Sequence, residues 1–466
     1  MPNFDAQEMA QWAGGQWLGG MPGAIAGVSI DTRTLKPGEL FVALRGPSFD
    51  GHSFVGEAFA RGAAGAVINA RARVGPPVAG PLLHVPDTAR ALREMGCAYR
   101  RRIRAEIVAV TGSIGKTTVK EMVSDVLAQR LPTARTRGNW NNDLGMPLSL
   151  LAMAPETRVG VFELGMNHPG ELAQLCRLLQ PDWGLVTTIG PVHLEFFESV
   201  EAIAAEKSVL LRSLPPGGVA VLRNDEPYFE MLRSAAPGRV ITLALSGAAD
   251  YLCSPPDAHG TIAIHERSTG ASCRLQAPLP GAHHAANALF AAAVGRAHGL
   301  AWEDIRAALE RYRSPPMRWE QQGVGGVTVI NDAYNANPVS MAAALRTFAE
   351  MPVTGGGGRW LVLAGMLELG PSAELFHRDL GKSLAPGPWA GIITVGSLGA
   401  VIARGATDAG VRAARVFACP DHAAAAEVLA RRLQPGDTVL LKASRGQRLE
   451  QVLALWKERV ALKRIN

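Results

Sequence analysis

VTGSIGKTTVKEM, at Val110–Met122, is the stretch of sequence that decides the fold of this protein. The β-branched segment EIVAVT leads into it, and apolar residues follow it at helical spacing, so a strand, a loop and a helix are predicted in that order. Two residues separate Gly112 from Gly115, which makes the loop shorter than the usual phosphate loop, G-x-x-x-x-G-K-[ST]. A loop of this length needs further support before it is assigned to phosphate binding.

The chemistry of the loop suits a nucleotide. Its glycines allow backbone N–H groups to turn towards a phosphate, and the positive end of the next helix adds to the attraction. Lys116 supplies a charge for the β and γ phosphates, and Thr117 offers a hydroxyl to Mg²⁺. The alternative is an ordinary strand-to-helix turn, but the flanking elements lie where a phosphate loop requires them. Nucleotide binding is therefore predicted for Thr111, Gly112, Ser113, Ile114, Gly115, Lys116, Thr117 and Thr118.

Length and composition are those of a multidomain globular protein. At 466 residues the chain is long enough for about three domains of roughly 150 residues. Hydrophobic residues make up 47% of the chain and charged residues 19%, and no apolar run reaches the ~20 residues of a spanning helix. The first residues, MPNFDAQEMAQW, show no export signal, so a cytoplasmic protein is expected.

Cysteine and charge patterns argue against a disulfide framework and a nucleic-acid surface. The cysteines are widely spaced and form no Cys-x-x-Cys pair, so buried thiols are expected at Cys97, Cys176, Cys253, Cys273 and Cys419. The formal charge is +6, and the dense basic cluster YRRRIR at Tyr99–Arg104 is typical of a solvated helix end. No nucleic-acid partner is expected.

Three blocks of the chain differ in pattern and predict a three-domain α/β protein. Residues 1–92 contain short β-rich runs broken by Pro and Gly, which predict a small α/β module. In residues 93–312, strands and helices alternate, which predicts a mostly parallel sheet with helices on both faces. Residues 313–466 repeat the alternation and predict a Rossmann-like doubly wound sheet. TGGGG, at Thr354–Gly358, is expected to be a flexible turn inside this last domain.

Motifs spread along the chain resemble the Mur ligases, the ATP-dependent amide-forming enzymes of peptidoglycan synthesis. Folylpolyglutamate synthetases share the short T-G-x-x-G-K-T loop, whereas six further segments are similar, in matching order, to one branch of the Mur family. The segments are GNWNNDLGMPLSL (138–150), ELGMNHPGEL (163–172), GPVHLEFF (190–197), NDAYNANPVSM (331–341), MLELG (366–370) and LLKASRG (440–446). YNANP is the most specific, and the D-N-P-R of the diaminopimelate- or lysine-adding branch is absent.

The resemblance implies a reaction and its substrates. Members of this branch add D-alanyl-D-alanine to UDP-N-acetylmuramoyl-tripeptide through an acyl phosphate, and they release ADP and phosphate. Lys116 and a pair of Mg²⁺ ions should stabilise the charge of the transferring phosphoryl group. The N-terminal domain is then expected to bind the UDP-sugar, the central domain ATP, and the C-terminal domain the incoming amine. A monomer is expected.

The resemblance also implies the catalytic centre. Glu163 and His193, at two predicted strand ends, are implied ligands of Mg²⁺ together with Thr117. Lys207 falls where Mur ligases carry a lysine that CO₂ converts into a carbamate, which binds or positions Mg²⁺. The conversion requires an unprotonated amine, which burial favours. Without the resemblance, Lys207 would be interpreted as a solvated helix residue. Catalytic roles are therefore expected for Lys116, Glu163, His193 and Lys207.

Further binding residues follow from the same resemblance. Nucleotide contacts are expected from Asn287, Arg318, Asp332, Tyr334 and Asn335. A pocket for the uridine end of the substrate is expected at Ser29, Asp31, Thr32, Arg33, Arg45, Gly46, Asp50 and His52. Other substrate contacts, including a site for the dipeptide or for phosphate in the LKASR segment, are expected from Asn139, Asn142, Lys442, Ser444 and Arg445. Positions that depart from the family pattern are His284, Asn331, Gly365 and Ala443.

Other functional classes stay open at this point. A P-loop ATPase or kinase would share the loop but would need neither YNANP nor a uridine-binding module. A non-catalytic Mur-like partner should have lost part of the set Lys116, Glu163, His193 and Lys207, which is complete here. Another Mur or folylpolyglutamate-type ligase with a different amine is the remaining alternative.

Overall fold

The computed structural model describes residues 2–72, 75, 80–353 and 356–465. Three separate sheets with flanking helices follow one another along the chain, which confirms the predicted α/β class. Of the turn predicted at Thr354–Gly358, the first two residues lie outside the described residues. In the part of the chain that the structure describes, none of the helices combines the length and apolarity needed to cross a membrane.

The N-terminal sheet has five strands in the order β1-β5-β4-β3-β2. The strands are β1 Gln16–Leu18, β2 Gly27–Ser29, β3 Glu39–Val42, β4 Gly65–Asn69 and β5 Leu82–Val85. The helices are α1 Ala6–Ala13, α2 Val55–Ala60 and α3 Thr88–Arg102. Strands β2 to β5 are parallel, and β1, which the sequence did not predict, is antiparallel to β5.

Helix α3 joins the first two sheets, and the predicted domain boundary at residues 92/93 lies inside it. In its basic last turn, Arg101 and Arg102 are exposed, as predicted for a solvated helix end, whereas Arg100 is not. Arg100 is largely buried and donates to the carbonyl oxygens of Leu179 (2.7 Å) and Gln180 (2.9 Å), the carboxyl end of another helix. A cation suits that end because the carbonyl groups there carry partial negative charge. We keep the three-way division of the chain as a proposal.

The central sheet has nine strands in the order β14-β13-β12-β11-β10-β9-β6-β8-β7. The strands are β6 Glu106–Thr111, β7 Thr133–Arg135, β8 Val159–Glu163, β9 Trp183–Val186, β10 Val219–Arg223, β11 Arg239–Ala244, β12 Tyr251–Cys253, β13 Thr261–Glu266 and β14 Ser272–Gln276. The helices are α4 Lys116–Leu127, α5 Gly145–Leu151, α6 Glu171–Leu179, α7 Val200–Arg212, α8 Phe229–Ala235, α9 Ala282–Ala297 and α10 Trp302–Arg311. The pairings are parallel except for β12–β13 and β13–β14.

Strand β6 lies at the point where the order of the central sheet reverses. Its neighbours are β8 on one side and β9 on the other, and both pairings are parallel. In open α/β sheets the crevice beyond the carboxyl ends of the strands at such a point is where ligands bind. The phosphate loop after β6, Glu163 at the end of β8 and the loop after β9 therefore meet at one edge.

The C-terminal sheet has six strands in the order β15-β16-β20-β17-β18-β19. The strands are β15 Glu320–Val324, β16 Val327–Asn331, β17 Arg359–Leu363, β18 Trp389–Val395, β19 Val416–Cys419 and β20 Thr438–Lys442. The helices are α11 Pro338–Glu350, α12 Ala373–Ser383, α13 Gly396–Asp408, α14 His422–Arg432 and α15 Glu450–Ile465. Strand β15 is antiparallel and was not predicted, nor was β19. Strand β20 lies between β16 and β17, so the carboxyl ends of β16 and β20 are adjacent.

Packing separates the C-terminal domain from the rest. Buried residues of the N-terminal and central domains, such as Met9 and Leu172, belong to one hydrophobic cluster. The C-terminal sheet instead packs its helices in clusters of its own on its two faces. Cys176, Cys253, Cys273 and Cys419 are buried and free as predicted, and Cys97 is half-buried. Burial raises the pKa of the Cys176 thiol to about 11, so it stays protonated.

Candidate active site

The phosphate loop has two points that require glycine. Gly112 has φ 147° and Gly115 has φ 86°, values that other residues rarely adopt. A Cβ on Gly112 would lie 1.9 Å from Thr187 Oγ1, and one on Gly115 would lie 2.7 Å from Asn287 Oδ1. The loop is therefore held close to the backbone and side chains that surround it.

Ser113 anchors the loop to the segment after β9. Its backbone N–H donates to the carbonyl oxygen of Thr188 (2.7 Å), and its hydroxyl donates to that of Gly190 (3.0 Å). Ile114 forms an isolated antiparallel bridge with Thr188. Because the Ser113 N–H is already paired within the protein, this residue supports the loop, and its N–H is not free for a phosphate.

Lys116 is the first residue of α4 and folds back over the loop. Its Nζ donates to the carbonyl oxygen of Gly112 at 2.8 Å. Burial lowers its pKa, the Glu163 carboxylate opposes that effect, and the Arg318 guanidinium adds to it. Two cations thus approach one another at the N-terminus of a helix, an arrangement that an anionic phosphate would stabilise.

The Glu163 carboxylate lies directly beside the loop. It is buried, and Thr117 Oγ1 donates to its Oε2 at 2.6 Å while Asn141 Nδ2 donates to its Oε1 at 2.8 Å. The Glu163 N–H donates to Thr136 Oγ1 at 3.1 Å, which fixes the backbone at the end of β8. A hydroxyl and a carboxylate, both hard oxygen donors, are therefore oriented at the same edge.

Lys207 is the most deeply buried of the predicted catalytic residues. It lies on α7 with a relative exposure of 1%. Burial shifts its pKa well below the ordinary value, the charge of Lys116 lowers it further, and Glu206 acts in the opposite direction. A lysine in this position is enriched in the neutral amine. The reading of Lys207 as a solvated residue, which the helix pattern alone would favour, is wrong.

His193 is held by a residue of another domain. It lies between β9 and α7, and its Nδ1 forms a short hydrogen bond with the carboxylate Oε2 of Glu368, from the loop after β17. The hydrogen bond from His193 lowers the pKa of Glu368. This pairing leaves Nε2 as the ring nitrogen available to a ligand.

These residues fit a Mg²⁺ site of the kind that nucleotides complete. Within the described part of the chain, no three His, Cys, Asp or Glu side chains converge as a self-sufficient metal cage. Mg²⁺ usually takes one or two protein oxygens and fills its remaining positions with phosphate oxygens and water. Glu163 and Thr117 supply such oxygens beside the phosphate loop.

The C-terminal domain faces the loop with a second set of charged residues. Lys442, at the end of β20, and Asp332, just after β16, form an ion pair of 2.5 Å because those strands are neighbours. Asp332 Oδ1 also accepts the backbone N–H of Trp319 at 3.1 Å. The Arg318 guanidinium stacks on the Tyr334 ring, 4.0 Å from its centroid, and both residues are half-buried.

Ser444 and Arg445 have structural partners. The Ser444 hydroxyl is buried, donates to the Ala336 carbonyl oxygen (3.1 Å) and accepts the N–H of Leu367 (2.9 Å). Arg445 forms an ion pair with Glu450 at 2.6 Å. Neither residue lines the cleft between the domains, whereas Lys442 does.

The cleft between the central and C-terminal domains has a volume of about 710 Å³. It gathers most of the residues predicted for the nucleotide and for catalysis. Those that line it are Ser113, Ile114, Gly115, Lys116, Thr117, Thr118, Asn139, Asn142, Glu163, His193, Asn287, Arg318, Asp332, Tyr334, Asn335 and Lys442. Thr111, Gly112 and Lys207 are buried next to its wall.

The residues predicted for the uridine end lie apart from this cleft, in the N-terminal domain. Asp31 and Arg33 form an ion pair of 2.6 Å that leaves the arginine exposed. His52 is buried and forms a hydrogen bond of 2.6 Å with Asp50, which Arg45 approaches at 3.5 Å. Ser29, Thr32 and Gly46 lie beside these groups in the sequence. The structure thus shows two charged clusters at these residues, outside the lining of the cleft.

Two histidines lie against Asn287 at the start of α9. The rings of His283 and His284 are 3.9 Å apart, and both meet the edge of Trp319. Burial lowers the pKa of His283 to about 4, and burial also lowers the pKa of His284 well below its ordinary value. His284 is buried and lines the cleft, yet neither ring nitrogen has a hydrogen-bond partner among the described residues. Its imidazole is therefore neutral and available to a ligand.

The unpaired imidazole makes a testable prediction. We expect His284→Leu to raise the stability of the nucleotide-free protein by about 1 kcal/mol, or roughly 2–4 °C in Tm, because it removes buried polar atoms that lack partners. The same variant should bind ATP more weakly. Thermal unfolding with and without nucleotide measures both effects. His283→Leu is the control, since the ring nitrogens of His283 are not among the buried polar atoms that lack a hydrogen-bond partner. A lower Tm for His284→Leu would contradict the expectation.

Three other departures from the family pattern have local explanations. Asn331 accepts the N–H of Ala333 at 3.3 Å, a bond that stabilises the turn after β16. A Cβ on Gly365 would lie 2.7 Å from Leu398 Cδ1, so a longer acidic side chain would not fit here without movement. Ala443 is fully buried in the core of the domain.

Two residues that structure brings into the site were not predicted. Asn141 orients Glu163, whereas the Oδ1 of Asn142, which was predicted, accepts the N–H of Gly145, the first residue of α5, at 2.8 Å. The sequence NWNND offers three asparagines and no periodicity that separates their roles. Glu368 lies in the MLELG segment, but its contact with His193 joins positions far apart in the chain.

Three family models match the chain along most of its length. They are "Mur ligase family, catalytic domain" at residues 24–112, "Mur ligase middle domain" at 110–295 and "Mur ligase, glutamate ligase domain" at 317–445. Among curated relatives, the UDP-N-acetylmuramoyl-tripeptide–D-alanyl-D-alanine ligase of Bacillus subtilis (strain 168) is 37% identical over 432 residues, which are 92% of each chain. The ligase of the same name from Escherichia coli (strain K12) is 36% identical over 442 residues, covering 92% of this chain and 93% of that protein.

Solved structures agree with this result. MurF from Acinetobacter baumannii superposes with a TM-score of 0.86 at 30% identity and covers 98% of this chain and 99% of its own. MurF ligase from Thermotoga maritima in complex with ADP has a TM-score of 0.78 at 25% identity and covers 94% of this chain and 98% of its own. The similarity extends over all three sheets.

Proposed function

The chain belongs to the Mur ligase family, and on that premise we propose that it adds D-alanyl-D-alanine to UDP-N-acetylmuramoyl-tripeptide in an ATP-dependent reaction. The relatives that carry this activity in their names match over nine-tenths of both chains. The observation that carries the proposal is the cleft, where the phosphate loop and Glu163 of the central domain face Arg318 and Lys442 of the C-terminal domain.

Each domain takes one part of the task in this proposal. Residues 93–312 bind ATP, because the phosphate loop and Asn287 lie there. Residues 313–466 bring the amine substrate to the cleft through the edge that holds Lys442. Residues 1–92 hold the UDP-sugar end, for which the exposed Arg33 and Arg45 are the available cations. Guanidinium groups are well suited to the diphosphate of such a substrate.

The loop residues hold the nucleotide phosphates. The N-terminus of α4 and Lys116 attract the β and γ phosphates, and Arg318 approaches the same charge from the C-terminal domain. Because Arg318 belongs to the other domain, full neutralisation depends on contact between the domains. A site that closes in this way also excludes water from the reacting groups.

The metal site in this proposal is built from Thr117 and Glu163, with His193 as the ligand of a second ion. Mg²⁺ bound at these groups would neutralise phosphate charge and orient the oxygens for in-line transfer. Asn141 and Thr136 hold Glu163 in place for that role. The Thr117 hydroxyl donates its hydrogen bond to Glu163, so the lone pairs of its oxygen are free for the ion.

Lys207 is proposed to carry the carbamate. Its lowered pKa supplies the neutral amine that attacks CO₂, and the product is an anion close to the charge of Lys116. Reaction of the amine nitrogen with CO₂ forms one N–C bond and releases one proton. The carbamate anion is attracted to the Lys116 cation, whereas a protonated Lys207 would be repelled by it, and this difference favours the modified form.

The reaction joins a carboxylate to an amine in two steps. The terminal carboxylate oxygen of the tripeptide takes the γ-phosphoryl group while its bond to ADP breaks. The amine nitrogen of D-alanyl-D-alanine then attacks the carbonyl carbon of the acyl phosphate, loses a proton, and expels phosphate. Lys116 and Arg318 stabilise the negative charge that spreads over the transferring group. Because ATP and UDP-linked precursors are intracellular metabolites, we propose a cytoplasmic location.

The proposal makes a direct prediction about ADP release. We expect release with UDP-N-acetylmuramoyl-tripeptide, D-alanyl-D-alanine and ATP together, and turnover at least about tenfold lower when the dipeptide is omitted, because the closed cleft excludes water. A coupled ADP assay with a panel of D-amino acids and dipeptides makes the measurement. Faster turnover with a single amino acid than with D-alanyl-D-alanine would contradict the proposed amine, and rapid hydrolysis without any amine would contradict the exclusion of water.

A further inference from the structure

The contact between His193 and Glu368 crosses the boundary between two domains. His193 belongs to the loop between β9 and α7 of the central sheet, and Glu368 belongs to the loop after β17 of the C-terminal sheet. The backbone joins the contact as well, since the N–H of Glu195 donates to the carbonyl oxygen of Glu368 at 3.2 Å. A Cβ on Gly370 would lie 3.1 Å from the Leu194 carbonyl oxygen, so the two loops are in close contact.

Both partners adopt an unusual backbone conformation. His193 has φ 55° and Glu368 has φ 62°. Both values lie in the left-handed region, which residues other than glycine rarely adopt. Such residues tend to occur where the surrounding structure holds them for a function. Here the unusual backbone places the two side chains against each other.

The loop of Glu368 is firmly attached to its own domain. The N–H of Met366 donates to Nε2 of the buried His377 at 2.8 Å, and the N–H of Leu367 donates to the buried Ser444 Oγ at 2.9 Å. Glu368 therefore moves with the C-terminal domain as a rigid part of it. The carboxylate reaches His193 only when that domain is docked on the central domain.

We propose that Glu368 is a positioning residue that the C-terminal domain supplies to His193 on docking. Its carboxylate accepts a hydrogen bond from Nδ1–H. This bond fixes the orientation and the tautomer of the ring and leaves the Nε2 lone pair for a divalent cation. Docking of the domain that brings the amine thus completes the ligand set next to the phosphate loop. The assignment of the cation rests on the proposed function, whereas the effect of Glu368 on the His193 ring does not.

The test compares Glu368→Ala with the wild-type protein in two measurements. The first is the ¹⁵N NMR spectrum of the imidazole nitrogens in nucleotide-free, metal-free protein labelled on histidine, with His193 assigned by its loss in His193→Gln. We expect the Nδ1-protonated tautomer in the wild type and a mixture of tautomers in Glu368→Ala. The second is the Mg²⁺ concentration for half-maximal ADP release, which should rise about 10–100-fold while KM for the tripeptide substrate changes less than about twofold.

Two further variants keep the test decisive. Glu374→Ala removes an exposed glutamate of the same domain and should match the wild type in both measurements. Glu368→Gln keeps an acceptor oxygen without the charge, so it should give smaller changes in the same direction, and it serves if the alanine variant does not fold. Unchanged His193 resonances in both Glu368 variants would overturn the proposal. If the wild type lacked the proposed ligase activity, the NMR result would still decide the positioning role.

Discussion

Replacing Lys116 with methionine is expected to lower ATP-dependent turnover at least about 100-fold, because a fixed cation that stabilises transferred charge contributes effects of that size. Methionine keeps the length and apolar body of the side chain and removes the charge. Nucleotide should still bind, since the glycine backbone and the start of α4 remain. The steady-state rate of ADP release and the affinity for a fluorescent ATP analogue measure the two effects separately.

The stability of the Lys116 variant is the first control. Because burial and Arg318 lower the pKa of Lys116, its charge is costly in the nucleotide-free protein, so Lys116→Met should not lower the Tm. Lys382→Met is the matched control, since Lys382 is an exposed residue that pairs with Asp379 on α12. Turnover within about threefold of the wild type in Lys116→Met would contradict the role that we assign to the phosphate loop.

Replacing Lys207 with alanine is expected to lower turnover by about 100-fold or more. Nucleotide should still bind, because the proposed carbamate acts on the metal and does not contact the adenine base. Lys207→Arg should be equally inactive, since a guanidinium stays protonated and therefore does not react with CO₂ to form a carbamate. If only a positive charge were needed, the arginine variant would stay active, and the comparison of the two variants decides between these roles.

Carbon dioxide gives an independent test of the same residue. Removal of CO₂ and bicarbonate should lower the activity of the wild type, and added bicarbonate should restore it. A carbamate signal should appear in the ¹³C NMR spectrum with ¹³C-labelled bicarbonate and be absent from Lys207→Ala. Near-normal activity of Lys207→Ala, or a wild type that is indifferent to CO₂ and shows no carbamate signal, would remove the carbamate from the mechanism.

The local pattern of the sequence predicted the elements around the site well. The segment EIVAVT forms β6, and α4 begins at Lys116, directly after the glycine loop. These predictions succeed because strand and helix periodicity, and the positive φ that glycine permits, are properties of neighbouring residues. Strands β15 and β19 were missed, since one pairs antiparallel at a sheet edge and the other, VFAC, is too short to show a period.

Burial of individual polar residues was beyond the local pattern. Lys207 and its helix look like an exposed segment, and only the resemblance to a family indicated another role. The structure places it at 1% exposure. For Ser444 the motif suggested a substrate contact, and the structure adds that its buried hydroxyl pairs with Ala336 and Leu367.

By itself the sequence determined the α/β class, the phosphate loop and the family, because these depend on residues close together in the chain and on motifs in a matching order. Only the tertiary structure decided which side chains meet: Asp332 with Lys442, and His193 with Glu368, are 110 and 175 positions apart. Such pairs arise from the order of strands within a sheet and from the docking of one domain on another. Neither leaves a periodic signal in the chain, since each contact depends on packing between elements that the sequence describes one at a time.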